Sequence, residues 1–209
     1  FAGGGFLSKY LFIYLLLAID ILFIYLIFFK KDRKFHFNYV ISVEVFLVLL
    51  IPHIIWLFNN DFITIIYGLA RSSVDSSTFL NHLIYPVIFI FKQIGILAPF
   101  FVMLYFLTKK IKINYNLKDR KLLFLLVINL LPIFLILFTS MILGSKIRTM
   151  WMTPFYLFFG TLFVYIFQKY IIKQNYKSFI ISFLILFLLS PITYAYISIT
   201  ETNKRTDYP

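Results

Sequence analysis

Two cations and a tryptophan lie close together in the segment Gly144–Pro154, which reads GSKIRTMWMTP and separates two long apolar runs. Lys146 and Arg148 can both donate charge-assisted hydrogen bonds to phosphate oxygens. Residues two apart project about 200° from each other on an ideal helix, so both reach one phosphate only if the loop is irregular or bent. The pattern therefore predicts an irregular phosphate-binding loop, and the alternative is that Trp151 anchors this segment at a membrane interface.

A histidine and an arginine near the second apolar run are further candidates for binding a substrate or a lipid phosphate. His53 follows Pro52, whose missing N–H loosens a helix, and it lies five residues before the end of the run at Phe58. Arg71 lies in the following loop. The alternative for His53 is an ordinary hydrogen-bonded packing role.

Other ionisable residues lie within or at the edges of apolar runs, where such groups are costly and are often functional. Lys9 lies near one end of the first run and either extends its ammonium to a membrane surface or belongs to a site. Asp20 and Lys92, near the middle of the first and third runs, predict an interhelical pair. Glu44 lies near the end of the second run, where ordinary solvation explains it equally well.

Metal-binding and cofactor motifs are not evident in the sequence. It has no cysteine, and its three histidines are far apart with no carboxylate at ligand spacing. There is no P-loop, GxGxxG or GxSxG motif. We therefore predict no metal ligands here, while a divalent metal in a longer protein stays open.

The composition indicates the elements that must position these residues. Hydrophobic residues make up 62% of the chain, charged residues 13%, and the mean hydropathy is +0.93. A membrane-spanning helix needs about 20 mostly apolar residues. We predict an all-α, polytopic membrane protein with about six transmembrane helices in a single helical region, approximately at residues 6–29, 39–58, 83–107, 122–143, 151–168 and 178–199. A short amphipathic helix, Phe62–Ala70, is predicted along the membrane surface after the second span, capped by Asn or Asp in Asn59–Asp61.

The distribution of lysine and arginine predicts the orientation of these helices. Loops 30–38, 108–121 and 169–177 together hold thirteen of these residues, whereas the segments on the other side hold five. Because cytoplasmic loops are enriched in Lys and Arg, we place the thirteen in the cytoplasm and both termini outside it. The net charge of +12 then reflects topology, and we predict no nucleic-acid partner.

Four segments, in order, resemble one family. GGGFLSKY (Gly3–Tyr10) is similar to the Leu-Ser/Thr-Lys segment of bacterial family 39 glycosyltransferases, which are related to protein O-mannosyltransferases and the lipid A aminoarabinose transferase. LIPHIIWLFNNDFITIIYGLARS (Leu50–Ser72) resembles the family's Pro-His-x-x-Trp helix end, Asn-Asp-Phe loop start and short helix. GSKIRTMWMTP resembles its Gly-x-Lys-x-Arg-x-x-Trp-x-x-Pro loop, and KRTDYP (Lys204–Pro209) its Arg-x-x-Tyr-Pro entry into a periplasmic tail.

The resemblance implies an integral membrane glycosyltransferase of the GT-C superfamily in the bacterial inner membrane. Such an enzyme transfers a sugar from a polyprenyl-phosphate carrier to a glycan, lipid or protein acceptor on the non-cytoplasmic side. We expect the chain to be a fragment of a larger protein whose acidic catalytic residue lies upstream of Phe1, so that residues 1–209 alone are inactive; neither Asp61 nor Asp75 matches that motif. The alternative is a transporter or flippase fragment in which Asp20, Glu44, His53 and Lys92 converge on a pathway.

Overall fold

The computed structural model describes residues 1–31, 35–72, 78–109, 116 and 118–200, and these residues form helices joined by short loops, with no strand among them. The helices are α1 (Ala2–Ser8), α2 (Ile13–Ile24), α3 (Asn38–Asn59), α4 (Ile63–Ser72), α5 (Asn81–Thr108), α6 (Arg120–Leu143), α7 (Phe159–Phe167) and α8 (Tyr176–Thr200). The prediction of an all-α chain is therefore confirmed for the part that the structure describes. Asp75 and the Lys204–Pro209 segment lie outside the described residues.

Among the residues that the structure describes, five helical segments are long and apolar enough to cross a membrane: Phe12–Phe29, Asn38–Asn59, Asn81–Thr108, Arg120–Leu143 and Lys173–Thr200. A sixth is obtained if the 3₁₀-helix Thr149–Tyr156 and the segment Phe159–Tyr170, which bend by 52° at their junction, count as one broken span. The number of long apolar helices thus agrees with the sequence prediction.

The first predicted span, residues 6–29, is not one helix. α1 ends at Ser8, Lys9 is extended with φ −160° and ψ 115°, and a 3₁₀ turn, Tyr10–Phe12, leads into α2. A π-helical turn, Tyr25–Phe29, then extends α2. The break at Lys9 was not predicted, because the largely apolar run around it carries no signal for where a helix is interrupted.

By their contacts the residues divide into two compact units, residues 1–93 with 116–162 and residues 94–115 with 163–209. In the first unit α2 packs along α6, and the Tyr14 hydroxyl donates to Thr139 Oγ1 at 3.1 Å between them. Its core is a cluster of Phe89, Ile136, Met152 and Phe155, all buried. This core joins α5 and α6 to the 3₁₀-helix that follows the Gly144–Arg148 segment.

The second unit is organised around aromatic rings and one buried amide. Phe100 and Phe101 of α5 each contact Phe163 of α7 edge to face, with ring centroids 5.4 Å apart. Asn175 is 2% exposed, and its amide donates to the Leu107 carbonyl at 2.9 Å, which satisfies an acceptor at the end of α5.

Candidate functional site

The corner between α3 and α4 sets the position of Arg71. The Asn60 amide donates to the Trp56 carbonyl at 2.8 Å, and Asp61 and Phe62 take positive φ values of 49° and 53°. Asn60 thus satisfies a carbonyl at the end of α3, whereas we had predicted this Asn-Asn-Asp segment as a cap for the next helix. α4 was predicted at Phe62–Ala70 and is found at Ile63–Ser72, with Arg71 in its last turn.

The loop after α6 holds Lys146 and Arg148 in an irregular backbone, as their joint use requires. Gly144 ends α6 with φ +60°, and the Ser140 hydroxyl donates to the Ser145 carbonyl at 2.7 Å. Residues 145–148 have no regular secondary structure, and a 3₁₀-helix begins at Thr149. The Lys146 backbone N–H donates to the Ser72 carbonyl at 3.1 Å, which fixes this loop against the end of α4.

Four cations line one open cavity of about 740 Å³, which we call the cationic cavity. They are Arg71 of α4, Lys92 of α5, and Lys146 and Arg148 of the loop after α6. Among the described residues that line this cavity there is no carboxylate. Cations that share a concave surface with no opposite charge produce a strongly positive potential, so the cavity is suited to an anion such as a phosphate.

Lys92 was not predicted as a member of this group. We had expected it to pair with Asp20, but Asp20 is exposed on α2 and does not line the cavity. The signal was present in the sequence, because a lysine in the middle of a 28-residue apolar helix is costly without a function. The sequence did not indicate which partner it has.

His53 lies in a second cavity of about 630 Å³, which we call the aromatic cavity, and not in the cationic cavity. The Tyr10 hydroxyl lies 2.8 Å from His53 Nε2 and 2.7 Å from Thr64 Oγ1, which connects three helical segments. The Trp56 ring stacks on the His53 ring, with centroids 5.9 Å apart and an interplanar angle of 12°. Tyr10 and Thr64 were not predicted as site residues, because an isolated tyrosine or threonine in an apolar segment is not a signal.

The two cavities adjoin each other at the side chains of Tyr67 and Arg71, which line both. The Arg71 guanidinium donates from Nη1 to the Tyr67 hydroxyl at 2.7 Å and lies 5.2 Å from the centre of the Tyr67 ring. This contact restrains Arg71 within one turn of α4, so its guanidinium is held at the junction of the cavities.

Lys9 and Trp151 also line the aromatic cavity. The Lys9 ammonium donates to the Trp151 carbonyl at 3.2 Å. Lys9 precedes the first long apolar segment, and its partial burial lowers its pKa. Trp151, which we had predicted as an interface anchor, is partly buried and also lines a smaller, mainly apolar cavity of about 270 Å³ with Ile65 and Ile136.

Glu44 is exposed on α3 and lines neither cavity, and Asp61 is exposed at the corner between α3 and α4. Among the described residues, no three His, Asp or Glu side chains are close enough together to hold a metal ion. The arrangement can therefore bind an anion in one cavity and present aromatic rings and neutral hydrogen-bonding groups in the next. No protein-family model, curated protein sequence or solved structure matches this chain.

Proposed function

We propose that this chain is a membrane-embedded part of a glycosyltransferase that uses a sugar carried on a polyprenyl phosphate. The observation that carries the proposal is the cationic cavity, in which Arg71, Lys92, Lys146 and Arg148 converge without a lining carboxylate. A lipid phosphate needs fixed cations together with apolar surfaces for its chain. Here the cations come from α4, from the long apolar helix α5 and from the loop after α6, and the long helices provide apolar surface.

The exposed surface of the helices supports insertion into a membrane. In α8 only 6% of the apolar segment is buried within the chain, and in α3 only 11%. Contiguous apolar surface of this extent is not stable against water and requires lipid or protein around it. We place the protein in a bacterial inner membrane as a multi-pass protein, with both chain ends on the periplasmic side and the thirteen loop cations in the cytoplasm.

In the proposed reaction, an acceptor hydroxyl attacks the anomeric carbon of the carrier-linked sugar, with inversion. The bond from that carbon to the phosphate oxygen breaks, a bond to the acceptor oxygen forms, and the hydroxyl proton passes to a general base that we do not assign to this chain. Negative charge develops on the leaving phosphate, and cations fixed in a site of low dielectric stabilise it. Lys146, Arg148, Arg71 and Lys92 are the residues to which we assign this role.

Substitution of the loop cations tests the proposal. Lys146→Ala and Arg148→Ala should each weaken binding of farnesyl phosphate about 10- to 150-fold, which corresponds to a lost charge-assisted contact of roughly 1.5 to 3 kcal/mol. Arg148→Lys should also weaken binding if the guanidinium holds two phosphate oxygens at once, because lysine lacks the planar fork. Isothermal titration of the purified protein in lipid nanodiscs measures both effects.

Trp151→Ala distinguishes phosphate binding from simple anchoring of the loop. If the loop only anchors the protein, Trp151→Ala should reduce the amount of correctly inserted protein. Lys146→Ala and Arg148→Ala should then bind farnesyl phosphate like the wild type. Lys118→Ala, on an exposed loop residue outside both cavities, is the matched control for loss of one positive charge. Unchanged farnesyl phosphate affinity in Lys146→Ala and Arg148→Ala would contradict the proposed role of the cavity.

The alternative function, a transporter or flippase, requires Asp20, Glu44, His53 and Lys92 to converge on one pathway. Lys92 and His53 line the cationic and the aromatic cavity respectively, while Asp20 and Glu44 line neither. The residues that motivated a transport pathway are therefore distributed over different surfaces, which favours the transferase.

A further inference from the structure

We infer that the aromatic cavity binds the sugar ring of the carrier, and that it selects a sugar without a positive charge. This inference rests on the proposed function, since it takes the phosphate of the same ligand to occupy the cationic cavity.

The junction of the two cavities matches the covalent structure of a glycosyl phosphate. Such a ligand has two adjoining parts of different chemistry, an anionic phosphodiester and a sugar ring, which are joined through one bridging oxygen. Tyr67 and Arg71 line both cavities, so a phosphate held by Arg71 and Lys146 places its substituent at the entrance to the aromatic cavity. The volume of about 630 Å³ lies within the range of about 300 to 1,000 Å³ that small-molecule sites occupy.

The walls of the aromatic cavity combine flat apolar surfaces with a few polar atoms. Trp56, Trp151 and Tyr10 line it. A pyranose has faces of C–H groups that pack on aromatic rings and a rim of hydroxyls that need hydrogen bonds. Both requirements are met by side chains that already line this cavity.

The hydrogen-bonding groups are held in place by one another. One consistent assignment has the Tyr10 hydroxyl donate to His53 Nε2 and accept from the Thr64 hydroxyl, at 2.8 and 2.7 Å. The ring proton of a neutral His53 then lies on Nδ1, where it is a donor. Because the Trp56 ring stacks on His53, the imidazole orientation is fixed before a ligand binds.

Charge makes the cavity selective among sugars. The described residues that line it include two basic residues, Lys9 and Arg71, and no carboxylate. A protonated amino sugar would place a further positive charge beside them with no lining carboxylate to compensate, whereas a neutral sugar would not. The structure therefore points to a pyranose that carries no positive charge.

Intrinsic fluorescence reports directly on this cavity, because the chain contains two tryptophans, Trp56 and Trp151, and both line it. The probes are farnesyl phosphate, its glucosyl, galactosyl and mannosyl phosphodiesters, and the glucosaminyl phosphodiester. They are titrated into the purified protein in lipid nanodiscs. We expect at least one neutral glycosyl ester to bind about tenfold or more tightly than its glucosaminyl counterpart and to shift the tryptophan emission; Trp56→Phe and Trp151→Phe assign the shift to one indole.

Tyr10→Phe and His53→Gln separate the sugar site from the phosphate site. Both variants should lower the affinity for the preferred glycosyl ester at least about fivefold and leave the affinity for farnesyl phosphate unchanged, while Lys146→Ala weakens both ligands. Tyr105→Phe, on an exposed tyrosine that lines neither cavity, is the matched control and should change neither affinity.

The outcomes for the inference and for the proposed function differ. If farnesyl phosphate binds and depends on Lys146, but the glycosyl esters are unaffected by Tyr10→Phe and His53→Gln, the proposed function stands and the sugar site is wrong. Equal affinity for the glucosaminyl and the best neutral ester overturns the selectivity. If farnesyl phosphate and every ester fail to bind, both the proposed function and the inference are wrong.

Discussion

Gly144 is the residue on which the position of the cationic loop depends most directly. It ends α6 in the left-handed region, with φ +60°, and an added Cβ would lie 3.0 Å from His82 Nε2. His82 is held in turn, since its Nδ1 lies 2.7 Å from the Met141 carbonyl. The turn that delivers Lys146 to the cavity therefore has little room for a side chain, and its positive φ disfavours one as well.

Gly144→Ala should destabilise the protein by at least about 1 to 2 kcal/mol, the cost of placing a non-glycine residue in the left-handed region. The displaced loop should also bind farnesyl phosphate more weakly. Gly95→Ala, in the interior of α5 with no neighbour within 4 Å of an added Cβ, is the control and should be neutral or slightly stabilising. The free energy of unfolding in detergent and the affinity for farnesyl phosphate are measured for both variants. Equal stabilities and affinities of Gly144→Ala and Gly95→Ala would contradict this role of Gly144.

At the residue scale, the sequence predicted the loop cations but not their companions. Lys146 and Arg148 were identified because both lie in one short segment between apolar runs. Lys92 lies about 16 Å from the start of α5. The other residues that line the cavity are either more than fifty positions from Lys92 in sequence or lie on a different helix. Contacts over such separations depend on helix packing, which apolar periodicity does not determine when every face is apolar.

The contact of α1 with α3 is the element-scale feature that shapes the first part of the site. Gly3 is buried, and an added Cβ would lie 3.2 Å from Leu49 Cδ1. Phe6 contacts Phe46 edge to face, with centroids 6.2 Å apart. Close approach at a small residue thus lets α1 lie against α3, and Tyr10 follows directly after it.

Gly3→Val should destabilise the protein by about 1 to 3 kcal/mol, the usual cost of overpacking. Gly4→Val supplies a matched control in the next position of the same helix, because an added Cβ there meets nothing within 4 Å. The difference between the two unfolding free energies removes the common cost of valine in a helix. A difference near zero would show that the α1–α3 contact is not tightly packed.

A buried hydrogen bond connects α5 to the 3₁₀-helix after the cationic loop. The Tyr156 hydroxyl donates to Gln93 Oε1, and Gln93 is 6% exposed. Among the described residues, Gln93 Nε2 has no hydrogen-bond partner. Gln93 directly follows Lys92 in sequence, and its bond to Tyr156 holds the 3₁₀-helix that carries Trp151 against α5.

Tyr156→Phe should cost about 1 to 3 kcal/mol, because it leaves the second polar atom of the Gln93 amide without a partner as well. The double variant Gln93→Met with Tyr156→Phe removes both polar groups and should be more stable than Tyr156→Phe alone. A double-mutant cycle of unfolding free energies measures the coupling. Strictly additive effects would contradict the importance of this bond.

At the scale of elements, the sequence predicted the uninterrupted helices closely and the broken ones poorly. α3, α5, α6 and α8 begin and end within two residues of the predicted spans, because polar loops with Lys, Arg, Asn or Asp flank them. The span predicted at 151–168 is instead a 3₁₀-helix and a second helical segment with a bend of 52°. Composition indicates where a chain is apolar enough to leave water, but not where its axis bends inside an apolar run.

The whole molecule presents an unusual amount of exposed apolar surface, which is the main argument that lipid surrounds it. Exposed phenylalanine, leucine and isoleucine side chains occur along every long helix, including Phe91 and Phe187, which are 70% and 63% exposed. In water such surface drives association. In a bilayer it is the expected outside of a helical protein, and the distribution of charge then predicts the side on which each loop lies.

Labelling of single cysteines tests this arrangement, because the chain contains no cysteine of its own. Thr78→Cys lies in the segment between α4 and α5, and Asn116→Cys lies before α6; both residues are exposed and neither substitution changes the net charge. A membrane-impermeant maleimide added to intact spheroplasts should label Thr78→Cys at once and Asn116→Cys only after permeabilisation, since the loop at 108–121 holds six of the thirteen cations assigned to the cytoplasm. The cysteine-free protein is the control for background labelling. The reverse order of labelling would place the cationic cavity on the cytoplasmic side, and equal labelling of both cysteines in intact spheroplasts would mean that α5 does not cross the membrane.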